Sequence, residues 1–126
     1  MMKLYNTLSR TIEDIVPLQP GNLGMYACGP TVYDYIHLGH LRRYVMDDVL
    51  IRVLKHAGFI VKQVQNITDV GHLVSDADEG EDKMEKGARK YHKTVWEVAK
   101  EFEDHYWKSM ELMGVGKPDV SCRATD

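Results

Sequence analysis

The chain has 126 residues, the size of one domain with a buried core, and none of its apolar runs approaches the roughly 20 residues that span a bilayer. Its formal net charge of -3 gives no overall attraction to nucleic acid, and its two cysteines are too few for a disulfide framework. These properties exclude an integral membrane protein and a disulfide-rich secreted domain. Because the N-terminus has no secretion or import pattern, we expect a cytoplasmic protein.

The first half of the chain alternates between extended and helical patterns. Residues 1–20 have some extended character and end at the Pro20-Gly21 turn signal. The apolar run 23–27 predicts a short buried strand, which Gly29 and Pro30 stop. A helix is predicted over 41–57 by an apolar stripe made of Leu41, Val45, Val49, Leu50, Val53, Leu54 and Ala57.

A second strand is predicted over 59–64, where β-branched and aromatic residues follow Gly58, and polar residues 66–69 indicate a loop after it. A strand, a helix and a second strand in this order form a βαβ unit with parallel strands. We therefore predict an α/β fold. Ligands of such sheets bind beyond the carboxyl ends of the strands, so loops 28–40 and 66–69 should border one crevice.

The second half begins with a highly charged stretch over 75–93, which is typical of a solvated surface segment. Thr94 and Glu97 form a capping box, and the helix that follows should end at Gly114. Residues 116–126 have no predicted structure of their own. The Met and aromatic stripe of the helix is interpreted as core; it comprises Val95, Val98, Ala99, Phe102, Tyr106, Met110 and Met113.

The motif with the clearest chemistry is His37-Leu38-Gly39-His40, which stands between the first predicted strand and the first predicted helix. A glycine at a helix N-terminus lets a phosphate approach the backbone, where free N–H groups and the helix dipole favour an anion. The imidazoles can donate hydrogen bonds to phosphate oxygens as charge develops. The motif alone is short and weak, but its position favours nucleotidyl transfer.

The sequence resembles the class I cysteinyl-tRNA synthetases. The resemblance runs in register through LYNTL at 4–8, MYACGPTVYDYIHLGHLR at 25–42, QNITDVGHL at 65–73, DADEGEDKMEKGAR at 76–89 and KPDVSCRAT at 117–125. It implies that residues 1–70 are the first half of a Rossmann-like, HIGH-type nucleotide-binding fold with a parallel sheet. It also implies that residues 71–126 are the helical start of a connecting insertion.

The resemblance assigns roles to residues of both predicted loops. Cys28 matches a zinc ligand, and zinc, which binds and deprotonates thiols, would hold the thiolate of the substrate. His37 and His40 match catalytic positions. The residues that match the ATP-binding positions are Pro30, Thr31, His37, Gly39 and His40, and those that match the amino-acid pocket are Cys28, Gly29, Thr31 and Thr68.

The implied reaction joins L-cysteine to the α-phosphate of ATP and then passes the cysteinyl group to tRNA(Cys), with Mg²⁺ on the ATP. The family's other zinc ligands and its lysine-rich signature loop come from a later region, so this chain should be an N-terminal portion that is inactive alone. Cys122 is not expected to replace a zinc ligand. A monomer is favoured for the full-length enzyme, and His72, His92, Lys83 and Lys86 are interpreted as surface residues.

Three alternatives stay open at this point. The first is a related cysteine ligase that uses an amino-sugar acceptor, and the second is a non-catalytic module that only binds a nucleotide or a partner chain. The third is a stand-alone nucleotidyltransferase of the wider His-x-Gly-His group, which the Cys-Gly-Pro-Thr context at 28–31 disfavours.

Overall fold

A computed structural model describes residues 2–70 and 82–126 of the chain. The chain begins with a hairpin in which β1, Lys3–Asn6, pairs antiparallel with β2, Thr11–Asp14. The extended character expected of the N-terminal residues is therefore confirmed. Predictions for His72 and for the charged residues up to position 81 lie outside the described residues.

The predicted βαβ unit is confirmed. Strand β3, Asn22–Ala27, runs parallel to β4, Ile60–Ile67, and the two are connected through helix α1, Leu38–His56. Gly58 closes the helix with a φ of 92°, which glycine adopts without steric cost.

Helix α2, Lys83–Tyr91, is followed by helix α3, Val95–Leu112, whose capping box at Thr94 and Glu97 forms as predicted. The prediction that the tail has no structure is wrong, because β5, Val120–Arg123, adds to the sheet in the order β3-β4-β5. None of the helices in the described part of the chain is long and apolar enough to cross a membrane.

The loop predicted over 66–69 begins too early, because β4 continues through Ile67. Its last residues pair in parallel with β5, for example Asn66 with Cys122 and Ile67 with Arg123. A parallel pairing brings together segments that are distant in the sequence, so neither strand segment has a strong local signal of its own. One missed pairing therefore accounts for both errors.

One face of the sheet carries the core. Alternate residues of β4 are buried on this face, and α1 and α3 cover it. The predicted stripe of α3 is confirmed at five positions, which are Val98, Ala99, Phe102, Tyr106 and Met110. The opposite face of the sheet is exposed, as Tyr26 and Ile60 show.

The predicted inner stripe of α1 is only partly right. The helix buries Tyr44, Ile51 and Leu54, whereas Val49 and Val53 are 48% and 45% exposed. Apolar residues occur on nearly every side of this helix, so periodicity does not single out one face. Contact with the sheet determines which face is buried, and the three buried residues are seven and three positions apart.

Candidate functional site

The segment between β3 and α1 is anchored to the end of β4. The amide of Val32 donates to the carbonyl of Thr68 at 3.0 Å, and the amide of Thr68 donates to the carbonyl of Pro30 at 2.9 Å. These bonds continue the parallel pairing beyond both strands, with Thr31 opposite Thr68. The structure thus brings the two predicted loops together at the carboxyl edge of the sheet.

Gly29 lies where the two segments approach most closely. A Cβ at this position would stand 1.4 Å from the carbonyl oxygen of Asn66, so no other residue fits the observed backbone. The amide of Gly29 also donates to the side-chain oxygen of Asn66 at 2.8 Å. The neighbouring Cys28 thiol is exposed.

An open cleft of about 400 Å³ lies between this segment and α1. It brings together most of the residues that the resemblance assigned to substrates. Lining residues from that set are Cys28, Gly29, Pro30, Thr31, His37 and His40, and the others are Tyr33, Asp34, Tyr35, Ile36, Arg43, Tyr44 and Lys83.

His37 and His40 cap the N-terminus of α1 with their own side chains. Nδ1 of His37 accepts from the amide of Gly39 at 3.1 Å, and Nδ1 of His40 accepts from the amide of His37 at 3.2 Å. A ring nitrogen that accepts a hydrogen bond carries no proton, so the ring proton of each histidine is on Nε2. The two rings stack with centroids 3.8 Å apart.

The environment of His40 favours its uncharged form. Burial first, and then the nearby His37, lower the pKa of His40 below its usual value. A Cβ on Gly39 would come within 2.9 Å of the His37 ring. Glycine at this position therefore leaves room for the capping ring of His37. Gly39 itself does not line the cleft, whereas both histidines do, and each has an Nε2–H group that can donate to an anion.

Arg43, which sequence reasoning missed, connects α1 to the cysteine. Its guanidinium donates to the carbonyl oxygen of Cys28 and forms an ion pair of 2.7 Å with Asp47 one turn further along the helix. The guanidinium also lies over the ring of Tyr44. The position four residues before an aspartate on a helix is a signal that could have identified the ion pair.

Asp34 fastens the same segment to α2. Its carboxylate accepts hydrogen bonds from Lys90 at 2.5 Å, from Tyr91 at 2.5 Å and from the amide of Tyr35 at 2.8 Å. Burial raises the pKa of Asp34, but these hydrogen bonds outweigh that effect, so the pKa is lower than usual. Tyr35 packs edge-on against Phe102 of α3.

The structure corrects the interpretation of Lys83 as a surface charge. Lys83 is half-buried at the first position of α2 and lines the cleft, whereas Lys86 and His92 are exposed as predicted. Within residues 2–70 and 82–126, the other two cations associated with this site, Arg43 and Lys90, have carboxylate partners and Lys83 has none. Among the described residues, no carboxylate pairs with the positive charge that Lys83 adds to the cleft.

Thr68 does not line the cleft with its side chain. Its backbone anchors the Cys28 segment, but its hydroxyl lies on the exposed face of the sheet and accepts from Nδ2 of the Asn66 side chain at 3.1 Å. Sequence reasoning did not single out Asn66. The structure thus divides the predicted set into a cleft group around the histidines and a sheet-face group around Asn66 and Thr68.

The residues that the structure describes do not make a zinc site. A zinc ion is held by three or four protein ligands, and no cluster of three His, Cys, Asp or Glu side chains occurs in the described part of the chain. Cys28 is accessible, and Cys122 lies on β5 with its thiol directed at the carbonyl of Gln65.

The family described as the tRNA synthetases class I (C) catalytic domain matches residues 14–126. Among individual proteins, cysteine--tRNA ligase 1 of Burkholderia lata is 50% identical over 125 residues, which are 99% of this chain and 27% of that protein. The cysteine--tRNA ligase of Treponema denticola is 45% identical over 99% of this chain and 25% of its own length. The chain thus spans about a quarter of the length of these curated relatives.

A solved structure shows the same fold. The LeuRS of Agrobacterium radiobacter K84, in a ternary complex with tRNA and LeuAMS, matches 88% of this chain and 13% of its own chain with a TM-score of 0.63. Its sequence identity is 23%, so this likeness bears on the fold alone.

Proposed function

Because the chain belongs to the family of class I (C) tRNA synthetase catalytic domains, we propose that it provides ATP-binding and cysteine-binding parts of a cysteine-tRNA ligase. The whole reaction, which activates L-cysteine with ATP and transfers it to tRNA(Cys), is proposed for the enzyme that the relatives represent. We also propose a cytoplasmic location.

One observation carries this proposal: two Nε2–H donors at the open N-terminus of α1 line the same cleft as Cys28. The helix end favours an anion, and neutral imidazoles can donate to phosphate oxygens without losing their capping bonds. As the carboxylate of cysteine attacks the α-phosphate, the bond to the bridging oxygen breaks and pyrophosphate leaves, and negative charge develops on the phosphate oxygens. Donors fixed in advance stabilise that charge.

Lys83 supports the same assignment because it adds positive charge at the rim of the cleft. We propose that the triphosphate occupies the side of the cleft with the histidines and Lys83, and that the amino acid occupies the side with Cys28 and Gly29. Magnesium would accompany the ATP phosphates. We propose zinc as the metal at Cys28, bound together with ligands that the described residues do not supply.

The substitution His40→Asn tests this proposal. Asparagine places an acceptor where Nδ1 stood and so retains the bond from the His37 amide, but it has no counterpart of the Nε2–H group. Removal of one such donor costs about 10²–10³ in the rate of activation. We expect this loss in cysteine-dependent ATP–pyrophosphate exchange by the intact enzyme, together with weaker ATP binding by the 126-residue chain.

His92→Asn is the matched control, because His92 is exposed and does not line the cleft. It should leave both measurements unchanged. Exchange that does not respond to cysteine in the wild type, or equal rates for the His40 and His92 variants, would contradict the proposal.

A further inference from the structure

The peptide unit that follows Cys28 is held at both ends by side chains. Its carbonyl oxygen, which belongs to Cys28, accepts a hydrogen bond from Nη1 of Arg43 on α1. Its N–H group, which belongs to Gly29, donates to Oδ1 of Asn66 on β4 at 2.8 Å. A helix and a strand thus hold one peptide plane between them.

The backbone before Cys28 is held by the sheet. Ala27 is the last residue of β3, is buried and pairs with Gln65 of β4. Because peptide units are planar, only φ and ψ of Cys28 remain between the two anchored neighbours, and both angles are therefore fixed. Sγ of Cys28 lies 3.7 Å from the carbonyl oxygen of Gly29, an orientation that depends on the peptide unit between these two residues.

Arg43 is suited to this task because its guanidinium has several donors at fixed angles. Nη1 donates to Cys28, and Nη2 forms the ion pair of 2.7 Å with Asp47. The side chain of Asp47 is only 22% exposed, so water does not fully screen this pair. The guanidinium also lies over the ring of Tyr44, with 4.7 Å between Cζ and the ring centroid. A lysine has a single nitrogen and cannot keep both polar contacts in these directions.

We propose that Arg43 is a positioning residue for the amino-acid side of the cleft. By holding the Cys28 carbonyl, it fixes the direction in which the thiol faces the substrate. This inference rests on the proposed function, which places the amino acid beside Cys28. Arg43 and Cys28 both line the cleft, so their contact lies in the wall that the substrate meets.

The substitution Arg43→Met tests the inference in the intact enzyme. Methionine keeps an unbranched apolar side chain but has no N–H donor, so the peptide unit after Cys28 loses one of its two anchors. Because the lost hydrogen bond involves a charged group, we expect KM for L-cysteine in ATP–pyrophosphate exchange to rise about tenfold. KM for ATP and kcat should stay within about twofold, because the capping bonds of His37 and His40 are untouched.

Two further variants separate the hydrogen bond from the charge. Arg43→Met leaves the carboxylate of Asp47 without its cation, so a double variant with Asp47→Leu removes both charges and should raise KM for L-cysteine by the same factor. Arg43→Lys keeps the positive charge without the fork, and KM should stay at least about threefold above the wild-type value. A wild-type KM in the lysine variant would show that charge alone matters and would overturn the inference.

Arg52→Met is the matched control on the same helix. Arg52 pairs with Asp48 at 2.6 Å and donates to the carbonyl oxygen of Gly114 at 2.9 Å, so it makes the same kinds of contact as Arg43. It does not line the cleft. Its replacement should lower the free energy of unfolding without raising KM for L-cysteine. Equal increases of KM in the Arg43 and Arg52 variants would indicate a merely structural role and would contradict the inference.

NMR spectroscopy of the 126-residue chain gives a readout that does not depend on activity. The couplings between Hα and Hβ of Cys28 report its side-chain rotamer, and we expect one dominant rotamer in the wild type. In Arg43→Met these couplings should become averaged and the carbonyl carbon signal of Cys28 should shift, whereas Arg52→Met should retain the wild-type values. Averaged couplings in the wild type, or unchanged couplings in Arg43→Met, would refute the positioning role.

The proposed function has a separate test. If the wild-type enzyme shows no cysteine-dependent ATP–pyrophosphate exchange, the proposed function fails, and the NMR couplings still decide whether Arg43 orients Cys28. If exchange is present and KM for L-cysteine does not respond to Arg43→Met, only the inference fails.

Discussion

Replacement of Gly29 by alanine tests how the site is built. The new Cβ would stand 1.4 Å from the carbonyl oxygen and 2.6 Å from the carbonyl carbon of Asn66, whereas real Cβ atoms keep at least 3.0 Å. The two segments would have to separate by roughly 1.6 Å, the difference between the first and last of these distances. Backbone atoms are on one side of this clash, so no side-chain rotation relieves it.

Such a separation would stretch the hydrogen bonds that connect the two loops. These are the bonds from Gly29 to the Asn66 side chain and the two between Thr68 and the Pro30–Val32 segment. Overpacking costs about 1–3 kcal/mol, and the loss of one of these bonds adds about 0.5–1.5 kcal/mol, so we expect Gly29→Ala to lower the free energy of unfolding by about 2–4 kcal/mol. Urea denaturation followed by circular dichroism and tryptophan fluorescence measures this loss.

Gly24→Ala provides a matched control within β3. A Cβ on Gly24 would have no heavy atom within 4 Å, so only the change in backbone freedom remains. That change is worth about 0.5–1 kcal/mol and favours alanine. If Gly29→Ala proved as stable as Gly24→Ala, the close approach of the two loops would be refuted.

Three further predictions concern the cleft and its supports. Gly87→Ala should destabilise the chain by about 1–3 kcal/mol in urea denaturation, because the new Cβ would meet the carbonyl oxygen of Tyr33 at 2.6 Å. Helix propensity alone favours alanine by about 1 kcal/mol, so a gain in stability would contradict the close contact. Lys83→Met should weaken ATP binding about fivefold in a calorimetric titration, as expected for loss of about 1 kcal/mol of charge interaction, and Lys86→Met should not. Because the pKa of Asp34 is lower in the folded chain than its usual 3.8, the ionised carboxylate adds to the free energy of unfolding above pH 3.8. This contribution disappears as the pH falls through the pKa of the folded chain. Acid denaturation curves of Asp34→Asn should lack this loss of stability.

Local signals were sufficient for the elements that depend on neighbours in the sequence. The capping box of Thr94 and Glu97 predicts the start of α3, and Gly58 and Gly114 mark the ends of α1 and α3. Each of these features requires only residues within one helical turn. For the same reason the βαβ unit could be predicted from the order of the patterns.

Strand β5 and the end of β4 depend on partners that are distant in the sequence. Their residues include Ser121, Cys122 and Asn66, which have no strong β preference, and the strands form because each completes the hydrogen bonds of the other. The buried face of α1 has a similar origin, since the sheet selects it. Propensity and periodicity therefore predict neither the pairing of β4 with β5 nor the buried face of α1.

The residues of the site divide in the same way. His37, Gly39 and His40 form a local motif, and their position between β3 and α1 is sufficient to predict an anion site. The contacts of Arg43 with Cys28 and of Asn66 with Gly29 span 15 and 37 residues, so no spacing in the sequence points to them. The backbone of Thr68 pairs with the Pro30–Val32 segment, but only the structure shows that its hydroxyl belongs to the sheet-face group.

The start of α1 joins the stability of the helix to the state of its histidines. Most helices are capped by Ser, Thr, Asp or Asn, which accept the capping bond with a side-chain oxygen. A neutral imidazole accepts the capping bond with one ring nitrogen and can donate a hydrogen bond with the other. Here the capping bonds of His37 and His40 occupy Nδ1, and so they direct both Nε2–H groups outwards. Burial and the nearby His37 lower the pKa of His40, and protonation of its Nδ1 would also remove the acceptor of the bond from the His37 amide. The fold therefore stabilises the neutral form of His40, in which the ring keeps its capping bond and still offers Nε2–H to a phosphate.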